Sequence, residues 1–169
     1  MQPNDFEDEA IVRTPAMKPL HPNHKWVLRV RAGGMSAAAA AIAFALDMGP
    51  LRDTPLPPFV LPAGALLAGL VATFVMTGRR YRAWGFAEGE DELQIGHGLW
   101  TRVRTVVPFG RVQHIDVAQG PIQRRFGLAT LILHTAGTHG AAVALPGILH
   151  RDAEAMRDRI RLKIRQDLV

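Results

Sequence analysis

Two short segments of the chain concentrate side chains that can bind an anion. Arg111 and Gln113 open one alternating apolar-polar run, and Gln123, Arg124 and Arg125 fall in a polar stretch between two glycines. A guanidinium group binds a phosphate or a carboxylate through two parallel N–H donors. We therefore predict that these five residues contact a ligand or a protein partner. The simpler alternative is that Arg124 and Arg125 only face an anionic membrane surface, at about 1 kcal/mol per base.

Groups suited to catalysis or metal binding are sparse. The chain has no cysteine, which excludes disulfides, thiolate metal sites and cysteine nucleophiles, and its one serine, Ser36, lies in an alanine-rich run. Seven histidines occur without an HExxH motif, although His114 and His134 fall on predicted strands and can face each other. The acidic run at residues 88–92 is typical of a solvated turn. We expect no catalytic residue, no metal ion and no cofactor, and hence no enzymatic activity.

Two apolar stretches precede these segments. Residues 59–77 carry no charge, and a helix of that length, at about 1.5 Å per residue, nearly matches a hydrocarbon core of about 30 Å. The uncharged run from Ala32 to Leu46 is shorter, and we extend it to about residues 26–47, with Trp26 as an interfacial anchor. Alone, this first stretch could lie flat on a membrane. Beside a second span it is better explained as the first leg of a transmembrane hairpin covering residues 26–78.

Basic residues flank the outer ends of this hairpin, whereas its proline-rich linker holds few of them. The bias predicts that both termini are cytoplasmic and that the protein is integral to a bacterial cytoplasmic membrane. The predicted membrane-anchoring residues are Trp26, Arg29, Arg31, Arg79, Arg80 and Arg82. Membrane topology explains the net charge of +5 more directly than a nucleic-acid partner, which we do not expect.

Two further expectations concern the ends and the packing of the hairpin. Residues 1–25, which contain several prolines and acids, are predicted to be a disordered cytoplasmic tail. Small residues at four-residue spacing are predicted to let the two helices pack closely, namely Ala37, Ala41 and Ala45 in the first and Gly64 and Ala68 in the second.

From residue 81 onward the pattern changes to short alternating runs broken by turns. We predict strands at residues 81–87, 92–96, 99–107, 111–118, 129–135 and 141–145, with a turn or single helical turn at 120–127. A helix follows from about 151 to 167, with a buried stripe of Ala153, Met156, Ile160 and Ile164. Consecutive strands closed by one helix imply a curved antiparallel sheet with the helix across one opening.

Three stretches carry a resemblance to a known family: Trp84 with Glu90–Leu93 and Gly98–Leu99, then Val107–Gln113, and above all Gln119–Ala129, which contains Gln-Arg-Arg-Phe-Gly-Leu-Ala. In this order they resemble the bacterial pleckstrin-homology-like (PH) domain family, and more closely its small two-span YdbS-like membrane proteins. The resemblance covers about residues 80–165, and we assign the PH-like domain to residues 80–168. It implies a membrane α-hairpin followed by a PH-like antiparallel split barrel of about seven strands with a C-terminal α-helix, on the cytoplasmic side.

The resemblance implies little about activity, since a fold does not fix a function. Our first hypothesis is a non-enzymatic, membrane-anchored interaction or assembly module that binds another membrane protein or a second copy of itself. The alternative is a module that recognises anionic lipid headgroups through Arg111, Arg124 and Arg125. An enzyme is the least supported of the three classes.

Overall fold

The computed structural model of the chain describes residues 16–52, 55, 57–136 and 142–166. Two long helices, α1 (His24–Met48) and α2 (Val60–Arg82), come first and lie against each other. Both are long and apolar enough to cross a membrane, and few of their residues are buried. Helix α1 starts before and ends beyond the span predicted at 26–47, whereas α2 starts one residue after the predicted 59 and extends beyond the predicted 77. The linker residues 53, 54 and 56 and the predicted tail residues 1–15 lie outside the described part of the chain.

The two membrane helices meet through polar and small residues. Ser36 Oγ lies 3.4 Å from Thr73 Oγ1, and a Cβ on Gly69 would lie 2.6 Å from the Ser36 side chain. At the far end, Asp47 Oδ2 accepts a hydrogen bond of 2.7 Å from the backbone N–H of Phe59, which closes the hairpin. The predicted packing residues Ala37, Ala41, Ala45, Gly64 and Ala68 are all exposed. That prediction was wrong because spacing identifies a small-residue face but not the face that the partner helix covers.

Across the described residues, seven strands form the domain, in two antiparallel sheets that do not close into a barrel there. The first sheet has the order β1 (Lys18–Pro19), β2 (Gly85–Glu88), β3 (Glu92–His97) and β4 (Val103–Pro108). The second has the order β5 (Val112–Ala118), β6 (Leu128–Thr135) and β7 (Ala142–Leu149). A short helix, α3 (Pro121–Arg125), links β5 to β6, and α4 (His150–Gln166) ends the described chain. This arrangement confirms the expected PH-like fold.

The predicted element bounds shift where helix and strand compete. Tyr81 belongs to α2, so the strand predicted from residue 81 begins at Gly85, and the strand predicted from 99 begins at Val103. The last strand extends past the predicted residue 145 to Leu149, and its predicted start at 141, like the end of the final helix at 167, lies outside the described residues.

The core lies between the two sheets and α4. Its fully buried side chains include Leu93, Ile95, Phe109, Leu131 and Leu145. Ala153, Met156 and Ile160 of α4 are buried against them, with Ile164 partly buried, which confirms the predicted stripe. Each buried leucine or isoleucine contributes roughly 1.5–3 kcal/mol.

The segment before α1 belongs to the domain and is not a disordered tail up to residue 25. Lys18 and Pro19 pair with Phe86 and Gly85, and Leu20 is 1% exposed in the core. Its carbonyl accepts a 2.7 Å hydrogen bond from the hydroxyl of Tyr81, at the end of α2. The physical reason is that β2 would otherwise be an open edge, and the residues just before α1 reach it because both helix ends lie beside the domain.

Helix α1 also contacts the second sheet at a bulge. Gly147 sits in β7 at a φ of 72°, where the register with β6 shifts by one residue. Its carbonyl accepts a 2.8 Å hydrogen bond from the N–H of His21, and a Cβ at this position would lie 2.5 Å from the ring of His24. The hairpin and the domain are therefore packed together at both sheets.

Candidate functional site

A cavity of about 630 Å³ opens where the end of α2 meets the first sheet. Four arginines line it: Arg79 and Arg82 from the last turn of α2, Arg102 directly before β4, and Arg104 on β4. We call it the basic cavity. No Asp or Glu is among its lining residues.

Local backbone geometry places the two strand arginines. Gly98, at a φ of 119°, turns the chain after β3, and any side chain there would collide with the Thr101 carbonyl. Arg102 directly precedes β4 and Arg104 is its second residue, and both side chains line the cavity. Arg104 pairs across from Gly96, where a Cβ would lie 2.8 Å from the Met17 sulfur, so Met17 packs over this position and also lines the cavity.

The arginines of the basic cavity have no acidic partner within the part of the chain that the structure describes. Arg79 lies over the ring of Trp100, 5.8 Å from its centroid, and Trp100 is 85% exposed on the β3–β4 loop. Four guanidinium groups in one concave surface, without a carboxylate partner in the described ranges, can bind an anion through several bidentate contacts.

The basic cavity lies at the level where the membrane helices leave the bilayer. The apolar part of α2 ends at Gly78, so Arg79 and Arg82 stand where the helix leaves the hydrocarbon. A neighbouring cavity of about 380 Å³ adds Arg31 and Arg80 on the other side of the β3–β4 loop. Arginines therefore border this loop on both sides, at the level expected for lipid headgroups.

The residues predicted from the sequence are arranged differently. Arg111 and Gln113 are exposed near the start of β5, and Arg124 and Arg125 are exposed on α3, which lies against α1. None of them lines the basic cavity or its neighbour. Their contact with a ligand or partner stays a prediction.

Gln123 has a structural position within the α3 turn. It is 6% exposed, its Oε1 accepts a 3.0 Å hydrogen bond from the N–H of Gly120, and its Nε2 donates to Thr130 Oγ1 at 2.9 Å. Both ends of the amide are occupied, so Gln123 stabilises the turn and is not free for an external ligand.

The predicted anchoring residues lie at the domain-side ends of the helices. Trp26 is 52% exposed, and Arg29 stacks on it, 4.9 Å from the ring centroid. Arg79, Arg80 and Arg82 occupy the last turn of α2, where they also complement the helix dipole.

His114 and His134 do face each other, as the sequence suggested. They are cross-strand partners on β5 and β6, and each Nε2 hydrogen-bonds the Asp116 carboxylate, at 2.7 Å and 3.1 Å. Within the described residues, no group of three or more His, Asp or Glu side chains is arranged to hold a metal ion. This cluster therefore links two strands.

Sequence reasoning missed Arg102 and Arg104. Their signal was the alternation Arg102-Val103-Arg104 within the strand predicted at residues 99–107. Nothing in the local sequence indicates that this strand begins beside the end of α2, because that contact is long-range.

Comparison with known proteins agrees with this architecture. The chain is 35% identical over 101 residues to the transmembrane protein YdbS of Bacillus subtilis (strain 168), a match that covers 60% of this chain and 62% of the relative. It thus spans less than two thirds of that relative's length. No solved structure matches the chain. The family model described as "Bacterial PH domain" matches residues 37–164. With two apolar helices joined to a two-sheet PH-like fold, the chain is a membrane protein that belongs to the bacterial PH domain family.

Proposed function

We propose that this protein is a non-enzymatic membrane module whose PH-like domain recognises anionic lipid headgroups of the leaflet next to it. The observation that carries the proposal is the basic cavity beside the end of a transmembrane helix, whose four arginines have no carboxylate partner among the described residues. An anionic leaflet attracts each nearby base by about 1 kcal/mol. The cavity adds a concave shape, which a flat basic surface lacks.

The contacts of the domain's acidic side chains support a binding role over catalysis. Glu88 accepts two hydrogen bonds, of 2.9 and 2.8 Å, from Arg159, and Asp116 is shared by two histidines. Glu88 raises the pKa of the Arg159 guanidinium through this hydrogen bond. These carboxylates stabilise contacts between elements, and neither lines the basic cavity.

The test compares two double variants of equal charge in the full-length chain. R102Q/R104Q removes two arginines from the basic cavity, and the control R111Q/R124Q removes two exposed arginines predicted from the sequence. Binding of phosphatidylglycerol and phosphatidylcholine is measured by native mass spectrometry of the detergent-purified protein. Liposome flotation would not distinguish the variants better. Even at about 0.15 M salt, where the Debye length is about 8 Å, the transmembrane helices insert into the bilayer and bring every variant to the lipid surface.

We expect R102Q/R104Q to weaken phosphatidylglycerol binding by about 30-fold, from about 1 kcal/mol per lost base. Phosphatidylcholine binding should stay unchanged in both variants. Loss of phosphatidylglycerol binding in R111Q/R124Q alone would refute lipid recognition by the basic cavity. It would assign recognition to the residues predicted from the sequence.

A second function, assembly with a protein partner, has one specific observation in its favour. Strand β4 is the outer strand of the first sheet, and its Val103 and Val106 are 42% and 45% exposed. An open edge of this kind can accept an extended segment of another membrane protein, or of a second copy of the chain, as an added strand. Unchanged lipid binding in both double variants would favour this role over headgroup recognition.

A further inference from the structure

Arg29 lies within the membrane hairpin and is held between two aromatic rings. Its guanidinium carbon is 4.9 Å from the ring centroid of Trp26 and 5.5 Å from that of Phe74 on α2. Trp26 is 52% exposed and Phe74 is 63% exposed. The two rings therefore lie on the outer surface of the helix pair, which faces lipid in a membrane.

The charge of Arg29 has no protein counterion among the described residues. Its Nε is fully shielded and has no hydrogen-bond partner there, and it forms no ion pair with a carboxylate there. A guanidinium group stays protonated and carries five N–H donors. Ring stacking offsets only part of its desolvation, and a charged side chain inside a spanning segment is usually functional.

The depth of Arg29 suits the phosphate layer of a leaflet. Phe74 precedes Arg79, the first base at the domain-side end of α2, by five residues, which is about 7.5 Å of helix. The headgroup region on each side of a bilayer is of similar thickness, roughly 5–7 Å. Since the helix leaves the hydrocarbon at Arg79, Phe74 lies within the acyl chains, and the long side chain of Arg29 can extend from there toward the lipid phosphates.

One turn closer to the domain, Lys25 adds a second positive charge where α1 meets α2. Its Nζ lies 4.4 Å from the centroid of the Tyr81 ring on α2. Lys25 and Arg29 are four residues apart and so share a face of α1, with Tyr81 and Phe74 sharing a face of α2. Basic grooves between transmembrane helices bind the headgroups of anionic lipids.

We propose that Arg29, with Trp26, Phe74 and Lys25, binds the phosphate of one anionic phospholipid in the leaflet on the domain side. The Arg29 fork binds two phosphate oxygens, and Trp26 and Phe74 hold the fork flat and shield it from water. The lipid chains lie along the exposed apolar surface of α1 and α2. This site is separate from the basic cavity and does not depend on headgroup recognition by the domain.

The experiment removes the basic cavity first, so that the two lipid sites are distinguished. In full-length R102Q/R104Q, R29Q is compared with R52Q, which removes one exposed base at the opposite end of the hairpin. Retained phosphatidylglycerol and phosphatidylcholine are counted by native mass spectrometry. We expect R29Q to lower phosphatidylglycerol retention about tenfold, with no change in R52Q or in phosphatidylcholine.

The R29K variant tests whether the effect of R29Q arises only from misfolding, because R29K keeps the positive charge in the helix pair. Lysine lacks the planar fork that stacks and binds two oxygens at once, so retention should also fall several-fold. Wild-type retention in R29K, or equal retention in R29Q and R52Q, would overturn the proposal. So would a protein dimer that R29Q abolishes while lipid retention is unchanged, because Arg29 would then bind a partner's carboxylate.

Discussion

At the scale of single residues, Gly147 sets how closely the first membrane helix approaches the domain. Its φ of 72° is in the left-handed region, and an added Cβ would lie 2.5 Å from the His24 ring. Gly127 has a similar φ of 66° but open space around it, and Gly110 has open space with no positive φ. The three glycines separate backbone strain from steric conflict.

We predict graded losses of stability when each of these glycines is replaced by alanine. Gly147→Ala should lower the free energy of unfolding by about 3 kcal/mol, since it combines strain with a clash. Gly127→Ala should cost about 1 kcal/mol from strain alone, and Gly110→Ala close to nothing. Denaturant unfolding of the detergent-solubilised chain, followed by tryptophan fluorescence, gives the order. Equal effects at Gly147 and Gly127 would mean that His24 moves aside freely.

The sequence predicts the burial and contacts of a side chain well when they depend on nearby residues of the chain. It predicts them poorly when they depend on a residue far away in the sequence. The buried stripe Ala153, Met156 and Ile160 follows from helical periodicity alone, and the structure confirms it. Gln123 looks like an exposed contact because its hydrogen-bond partner Thr130 lies on the following strand. Arg102 and Arg104 look like ordinary strand arginines until α2 is placed beside them.

At the scale of elements, β1 shows why a short strand escapes prediction. It has two residues, too few for a periodic pattern, and its partner β2 lies beyond both membrane helices in the chain. Its contribution comes mainly from the residue that follows, Leu20, which is 1% exposed in the core. Residue 20 is also the acceptor for the Tyr81 hydroxyl, so the segment before α1 connects the core to the end of α2.

We therefore predict that Leu20→Ala destabilises the domain although it lies before the first membrane helix. The expected loss in the free energy of unfolding is about 2–4 kcal/mol, as for other large-to-small core changes. Leu162→Ala on α4 is the control, since Leu162 is 60% exposed, and its effect should stay within about 0.5 kcal/mol. Denaturant unfolding of both full-length variants measures the difference. A loss at Leu20 no greater than at Leu162 would show that residues 16–23 are not part of the folded core.

At the scale of the whole molecule, the pairing of β1 with β2 constrains the membrane topology. Lys18 lies opposite Phe86, so the chain enters α1 and leaves α2 beside the same domain. If α2 crosses the bilayer, α1 must cross it too, because an interfacial α1 would leave Lys18 and Phe86 on opposite sides. The first apolar run is so short that the sequence alone leaves open whether it crosses the membrane or lies on its surface. The β1–β2 strand pair, which lies outside the membrane, favours crossing.

The distribution of arginines then predicts which side the domain faces. Arg31, Arg79, Arg80, Arg102 and Arg104 border the two cavities at the domain end, whereas among the described linker residues Arg52 is the one base. By the positive-inside rule, the domain should be cytoplasmic.

The chain has no cysteine, so a single introduced thiol reports on one position. Three variants place that thiol at an exposed residue, namely Lys18→Cys, Arg52→Cys and Glu90→Cys. The variants are treated with a membrane-impermeant maleimide in bacterial cells whose cytoplasmic membrane is intact and whose outer membrane, where there is one, is permeabilised. The maleimide should label only Arg52→Cys, and the other two variants should react only after the cytoplasmic membrane is disrupted. Labelling of Lys18→Cys and Glu90→Cys in intact cells would place the domain outside, and labelling of just one of them would contradict the β1–β2 pairing itself.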